Sequence, residues 1–318
     1  MNCLISIIIP TYNRANLISE TLDSILAQTY KYWEAIVVDD RSTDTTDLLL
    51  KEYCDKDARI AYYKRPEGYP KGGNVCRNIG LEKKKGDFVV FFDSDDLMEP
   101  NHLEVKVTPL LEEGLDFTIT KTKYFNKPAH KSDHVYDLDR FPITLENYLA
   151  QHINWLTLDI CIRTSVLGTI KFHEQLQSGQ EFNFYSKLLT RTTKGLFIPE
   201  TVSLRRYHEA SIQFKLSSIK EKRISSFISK WKTYKEIEKE LSRREKQTLL
   251  INCIKVVIKL KEVPEKQSFN MIVTSLRVFG FRGLYFLGYL AFKPFDKGYI
   301  FISQLYKMGM EKTSIDNF

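Results

Sequence analysis

The sequence holds no two cysteines at the C-x-x-C spacing of a structural zinc site or a redox couple. Its five cysteines, Cys3, Cys54, Cys76, Cys161 and Cys253, are scattered, which argues against a disulfide framework and for a reducing compartment. No basic segment or small-residue cleavage site accompanies the apolar start CLISIIIP, so a secretory signal is not expected there. Long apolar runs are missing too. GLYFLGYLAF, residues 283–292, is bounded by Arg282 and Lys293 and falls short of the roughly 20 residues that cross a bilayer, so no transmembrane helix is expected. Internal repeats and low-complexity tracts are likewise absent.

With 318 residues, 43% of them hydrophobic, the chain can build one large domain and an appendage. Its net charge of +7 is uneven: from Lys215 to Glu262 fourteen Lys or Arg stand against six Glu, a local +8 that leaves the remainder near neutral. Such a run suits an anionic membrane surface and a solvated helical face equally. A nucleic-acid partner is not expected, because no binding motif accompanies the charge.

The first half alternates β-branched runs with helical periodicity, the pattern of an α/β fold with a mainly parallel sheet flanked by helices. Strands are expected at residues 4–9, 34–38, 60–64, 88–92 and 117–122. Leu17, Ile18, Leu22, Ile25 and Leu26 recur at helical spacing, with Asn16 as the expected cap. A second helix is expected to start at RSTDTTDLLLKEY, capped by Ser42 or Thr43. NKPAHKSDHVYDLDR reads as a loop. From about residue 215 the chain turns helical, basic and then aromatic, so two regions are expected, 1–214 and 215–318.

In such a sheet chemistry gathers at the carboxyl ends of the strands. Thr11, Tyr12, Asn13 and Arg14 follow the first strand, Asp39 and Asp40 the second, and Asp93, Asp95 and Asp96 the fourth. If the DSD stretch is extended, Asp93 and Asp95 project to one side, a chelating arrangement for a hard cation such as Mn²⁺ or Mg²⁺ that also binds a substrate diphosphate. The plain alternative is an acidic helix start before Pro100. Asp39 and Asp40 sit where a carboxylate can accept a hydrogen bond from a nucleobase or a ribose hydroxyl, or where acids simply favour a helix start.

In order, IIIPTYNR, VVDDRSTD, GGNVCRNIGL and FFDSDD resemble the nucleotide-sugar-binding half of family-2 glycosyltransferases, inverting enzymes of the Rossmann-like GT-A fold, over about residues 4 to 212. The resemblance implies that Pro10, Thr11, Tyr12 and Asn13 hold the nucleoside. Asp40 would meet the base or ribose with Asp39 in support, and Arg77 would lie near the nucleotide. It also implies that Asp93 and Asp95 hold the metal, with Asp96 sharing it and Ser94 among the donor-binding residues. SGQEFNFYSKLL resembles the family's G-E-D helix start, making Glu181 the base that deprotonates the acceptor. Here Gln180 and Glu181 replace the usual Glu and Asp, which moves the carboxylate one methylene further from the backbone. LRRYHEASI resembles the Y-R-x-H-x-x-S segment, with Arg206 neutralising phosphate charge and His208 touching metal or diphosphate. The Q-x-x-R-W motif of processive polymerases is absent, which favours single-sugar addition.

The implied partners are a nucleotide-diphosphate sugar, UDP-linked by the commonest family pattern, and a saccharide or lipid-linked saccharide acceptor used in surface polysaccharide or glycolipid synthesis. A cytoplasmic enzyme is expected, with peripheral contact to the inner face of the membrane as one reading of the aromatic tail. Packing of that tail on the catalytic domain or on a second copy is the other. Two rival functions share the D-x-D feature or the fold: a metal-dependent phosphatase of the haloacid dehalogenase type, and a nucleotide-sugar-binding module without catalysis.

Overall fold

Ile5, Ile7, Ile8 and Ile9 are all fully buried, which a strand achieves only when both faces of its sheet are covered. The computed structural model describes residues 3–128, 132–207, 218–264, 267–292, 298, 300, 301, 303 and 304. It divides into two compact units, Met1–Lys215 and Leu216–Phe318.

The first unit is built on an eight-stranded sheet. Its strands are β1 (Ile5–Thr11), β2 (Trp33–Asp39), β3 (Ile60–Lys64), β4 (Phe88–Phe91), β5 (Leu97–Met98), β6 (Phe117–Phe125), β7 (Ile160–Arg163) and β8 (Gly195–Arg206). The order is β3-β2-β1-β4-β7-β6-β8-β5. The four strands from β3 to β4 are parallel, β7 runs antiparallel to both β4 and β6, β8 is parallel to β6, and β5 is antiparallel to β8. The expected parallel sheet is thus one half of a mixed sheet. The helices are α1 (Ile18–Leu26), α2 (Thr46–Lys56), α3 (Gly73–Lys83), α4 (His102–Glu112), α5 (Leu145–Leu149), α6 (Thr164–Leu167) and α7 (Gln180–Leu189).

Because β1 lies between β2 and β4, the loops leaving the carboxyl ends of these three strands meet on one rim. Helix α3 comes unusually close to β1. A Cβ at Gly80 would stand 2.4 Å from the Ile8 Cγ2, inside any tolerable contact, so glycine is what lets the helix settle there. That approach sets the height of Arg77, one turn earlier on the same helix.

Two expected caps are not formed. Helix α1 begins at Ile18 with no side-chain cap, the Leu17 and Ile18 N–H groups both donating to the Arg14 carbonyl, so Asn16 takes no part. Helix α2 begins at Thr46. Ser42 is drawn away from the helix: its hydroxyl donates to Asp39 and accepts from the Asn13 N–H at 2.8 Å.

Behind the rim, α4 carries two buried ionisable side chains. Lys106 donates to the Leu158 carbonyl, and burial, partly offset by Asp159, pulls its ammonium down to about 8. Asp159 is fully buried and accepts from Thr122, Tyr136 at 2.8 Å and the Leu156 N–H at 2.6 Å. Burial still pushes its carboxyl up to about 6. The raised acid favours folding below pH 4 and loses that contribution as pH climbs through about 6; the depressed lysine loses its own contribution as pH falls from above 10 through about 8. Near neutrality both are charged and depend on each other. Lys106→Met is expected to cost more stability at pH 8 than at pH 5, because the buried Asp159 loses a nearby positive charge only where it is ionised. Denaturant melts at the two pH values check this; an equal loss at both would contradict it.

The second unit is helical, with α8 (Ile219–Ile237), α9 (Arg243–Leu260), α10 (Ser268–Phe279), a 3-10 turn (Gly280–Gly283) and α11 (Leu284–Phe292). Helices α8 and α9 each open with a reciprocal capping box, Ser218 with Glu221 and Ser242 with Glu245. The stretch Ser268–Phe292 is long and apolar enough to cross a membrane by length and composition. Gly280, however, ends α10 at a φ of 62°, and a Cβ at Gly283 would meet the Ser275 carbonyl oxygen at 2.5 Å, so the chain breaks here into two helices packed at the turn. Phe286 and Tyr289 are buried in this unit while Phe281, Leu284, Leu287 and Phe292 are exposed, so the aromatic tail is both core and surface.

Candidate active site

The loop after β1 is welded to the loop after β2. Asn13 adopts a left-handed φ of 50°, a conformation that asparagine tolerates better than most residues. Its side-chain oxygen accepts from the Thr43 N–H at 2.8 Å. Pro10 and Thr11 are buried, Thr11 with its hydroxyl unpartnered, and Tyr12 is half-exposed with the Lys71 ammonium 5.9 Å from its ring centre.

The two acids after β2 divide their work. Asp39 is fully buried and holds the turn, accepting from the Ser42 N–H and hydroxyl and, at 3.3 Å, from the Tyr62 hydroxyl. Asp40 pairs with the buried Arg65 and accepts from the Gly72 N–H at 2.9 Å, so it ties the β3 end and the start of α3 to the same corner. Nothing in the local pattern of the sequence signals Arg65; the parallel pairing of β2 with β3 brings it beside Asp40.

The DSD geometry differs from the extended segment expected. After Phe92 the chain makes a tight turn, with the Asp96 N–H donating to the Asp93 carbonyl at 3.3 Å. Asp93 and Asp95 are therefore presented by a turn, and each meets an arginine: Arg77 at 2.6 Å and Arg14 at 3.2 Å. Both carboxylates remain partly exposed, 32% and 17%. Ser94 and Asp96 point inward. Asp96 is 2% exposed and accepts from the Arg206 N–H at 2.8 Å, while its own carbonyl accepts from Thr21 at 2.8 Å. Burial, then the neighbouring Asp93 and Asp95 charges, raises the Asp96 carboxyl well above the usual range. It anchors the turn.

The arginines of β8 face opposite ways, as strand alternation requires. Arg206, expected to neutralise phosphate, instead donates to the Asp95 carbonyl at 2.9 Å and pairs with Glu20 at 2.9 Å, supporting the turn. Arg205 is the one in the field of the acids. Burial pulls its guanidinium down, but Tyr124, Asp96, Asp93 and Glu181 together outweigh burial and raise it. His208 lies outside the described residues, and among those described no three His, Cys, Asp or Glu are gathered as a metal cage.

Glu181 stands in the first turn of α7, behind Gly179 in a left-handed turn of φ 70°. Its Oε1 accepts from the Thr157 hydroxyl at 3.1 Å and from the Gln180 amide at 3.2 Å. Helix α3 organises both sides of the site. Arg77 reaches Asp93, while Asn74 and Asn78, one turn apart, pin the approach to α7: Asn74 donates to the Leu176 carbonyl at 2.7 Å, and Asn78 both donates to the Phe172 carbonyl at 3.0 Å and accepts from its N–H at 2.8 Å. The i, i+4 spacing of the two amides in the sequence was the available signal for this clamp.

Helix α3 thus bonds both to the Asp93 turn and to the approach to Glu181. Residues 6–175 match the family model described as Glycosyl transferase family 2. An uncharacterized glycosyltransferase of Rickettsia typhi is 33% identical over 215 residues, 65% of each chain. The UDP-Glc:alpha-D-GlcNAc-diphosphoundecaprenol beta-1,3-glucosyltransferase WfgD of Escherichia coli is 37% identical over 114 residues, 36% of this chain and 44% of its own. The chain spans less than two thirds of the length of these relatives. Among solved structures, S. aureus TarS 1-349 in complex with UDP-GlcNAc superposes with a TM-score of 0.68 at 19% identity, covering 98% of this chain and 94% of that one.

Proposed function

The chain belongs to glycosyl transferase family 2 and has the GT-A fold, and on that premise we propose that it transfers one sugar, with inversion, from a UDP-linked donor to a hydroxyl of a saccharide or lipid-linked saccharide. Surface polysaccharide or glycolipid synthesis is the setting, with the enzyme peripheral to a membrane. The observation that carries the reading is the reach of α3: Arg77 pairs with Asp93 at 2.6 Å, and Asn74 donates to the Leu176 carbonyl at 2.7 Å in the approach to the helix that opens with Gln180 and Glu181. A glucosyltransferase named for a UDP-linked donor and a diphosphoundecaprenol acceptor among the relatives, and a TarS complex with UDP-GlcNAc on the same fold, support the donor and acceptor classes.

In this reading the rim formed by Thr11, Tyr12, Asn13 and Asp40 takes the nucleoside, with Asp39 shaping the turn below it. Asp93 and Asp95 suit a hard divalent cation, Mn²⁺ or Mg²⁺: they are partly exposed oxygen donors on one turn, and such ions complete their shell with water and substrate phosphate instead of a protein cage. Bound there, the ion would supply Lewis-acid stabilisation of the diphosphate leaving group. Arg77 and Arg205 add fixed positive charge on the same side. Asp96 and Arg206 keep the turn in place and do not touch the donor.

Glu181 accepts the proton of the acceptor hydroxyl while Thr157 holds one of its oxygens by a hydrogen bond. The acceptor oxygen then forms its bond to the anomeric carbon as the bond from that carbon to the diphosphate oxygen breaks on the opposite face. The products are the inverted glycoside, a protonated Glu181 and a nucleoside diphosphate. A panel of nucleotide sugars incubated with Mn²⁺ tests the assignment by its product. Release of nucleoside diphosphate is expected; release of inorganic phosphate would indicate the phosphatase, and no turnover with any donor and a saccharide acceptor would indicate the binding module.

A further inference from the structure

Within the second unit a cavity of about 400 Å³ opens between the first turns of α9 and the 3-10 turn. Arg243 and Gln247 line it from α9, and Phe279, Gly280, Phe281 and Arg282 line it from the other side. Neither arginine has an ion-pair partner among the described residues. Two guanidinium groups and an amide around one hollow make a receptor for a group with several anionic oxygens, which guanidinium recognises through directed, charge-assisted hydrogen bonds.

The rim of the cavity is of the opposite character. The break at Gly280 turns Phe281 out into solvent, 91% exposed, and Leu284 and Leu287 follow at three-residue steps, 47% and 38% exposed. Residues three apart lie on the same side of a 3-10 turn and nearly so on the α-helix that continues it. A cationic pocket bordered by protruding apolar side chains fits a molecule that is anionic at one end and hydrocarbon at the other. A free phosphate would leave Phe281 in water. A second copy of the chain would bring the same two arginines toward their own kind.

We propose that this cavity binds the phosphate of an anionic membrane lipid, with Phe281, Leu284 and Leu287 entering the acyl boundary. The excess of basic residues between Lys215 and Glu262 would add long-range attraction to the same surface. The site deepens the peripheral-membrane part of the functional reading and is independent of its catalytic part.

The test is sedimentation of the full chain with vesicles of phosphatidylcholine, with and without phosphatidylglycerol. Binding is expected to require phosphatidylglycerol. Each basic residue near an anionic surface contributes about fivefold, so the double variant R243Q/R282Q should bind about 30-fold more weakly. F281S should lose about tenfold or more through its unburied ring. Added inorganic phosphate without vesicles should leave the protein's melting temperature unchanged, since the lipid is bound by both its ends. Donor turnover in solution is expected to be unchanged in both variants, which shows that they are folded. Binding to phosphatidylcholine alone that matches the mixed vesicles, full binding by R243Q/R282Q, or a dimer in solution that F281S dissociates would each overturn the proposal. Vesicle binding by a protein without donor turnover would leave this site standing and remove the catalytic reading.

Discussion

Glu181→Gln is expected to lower sugar transfer by about 10² to 10⁴-fold, the range over which a positioned base accelerates proton removal, with donor affinity unchanged. Glutamine keeps the length of the side chain and can still accept from Thr157, so the geometry of the α7 start survives while the proton acceptor is lost. A melting temperature equal to that of the wild type separates this from a structural effect. Glu181→Asp, the length more usual in the family, should retain more activity than the glutamine variant if the base acts directly. A glutamine variant with wild-type turnover would remove Glu181 from the chemistry.

Asp95→Ala should abolish cation-dependent turnover, a loss of about a thousandfold or more if Lewis-acid stabilisation of the leaving group supplies several kcal/mol. The fold should survive, because the Arg14–Asp95 pair is partly exposed and such pairs contribute at most about 1 kcal/mol. Asp96→Ala is expected to behave differently, losing stability first, since it unpairs the Arg206 N–H inside the protein and removes the anchor of the turn. Melting curves and turnover measured on both variants distinguish the two roles; equal stability losses would contradict the division.

The parallel half of the sheet was legible because its strands are short β-branched runs ending in polar turns, and the expected strands at residues 60–64 and 117–122 fall on β3 and the start of β6. Three strands gave no such signal. β5 is two residues long, β7 is a four-residue run, and β8 carries a proline, a glutamate and two arginines through its length. The caps expected at Asn16 and Ser42 do not form because Ser42 is held by Asp39 and the Asn13 N–H, and Asn16 is bypassed by the backbone turn at Arg14. The DSD stretch departs from the extended form because period-two alternation holds in a strand, and the strand ends before Asp93. The acids, Arg14 and Arg77 are visible in the sequence, but Arg65 and the pairings are not. Arg14, Arg65 and Arg77 reach Asp95, Asp40 and Asp93 across 81, 25 and 16 residues, pairings that exist only once the strand order is set. Likewise Arg205 and Arg206 are indistinguishable as neighbours in a sequence; the alternation of β8 decides that Arg206 is the one that reaches Glu20 and the Asp95 carbonyl.

The most direct test of the account is the melting temperature of the protein with UDP, measured with and without Mn²⁺, in wild type and in Asp95→Ala. A ligand that binds only the folded state raises that temperature. The account expects a clear rise when nucleotide and cation are present together, little with either alone, and none in the variant. A rise of the same size without the cation, or one that persists in Asp95→Ala, would contradict it.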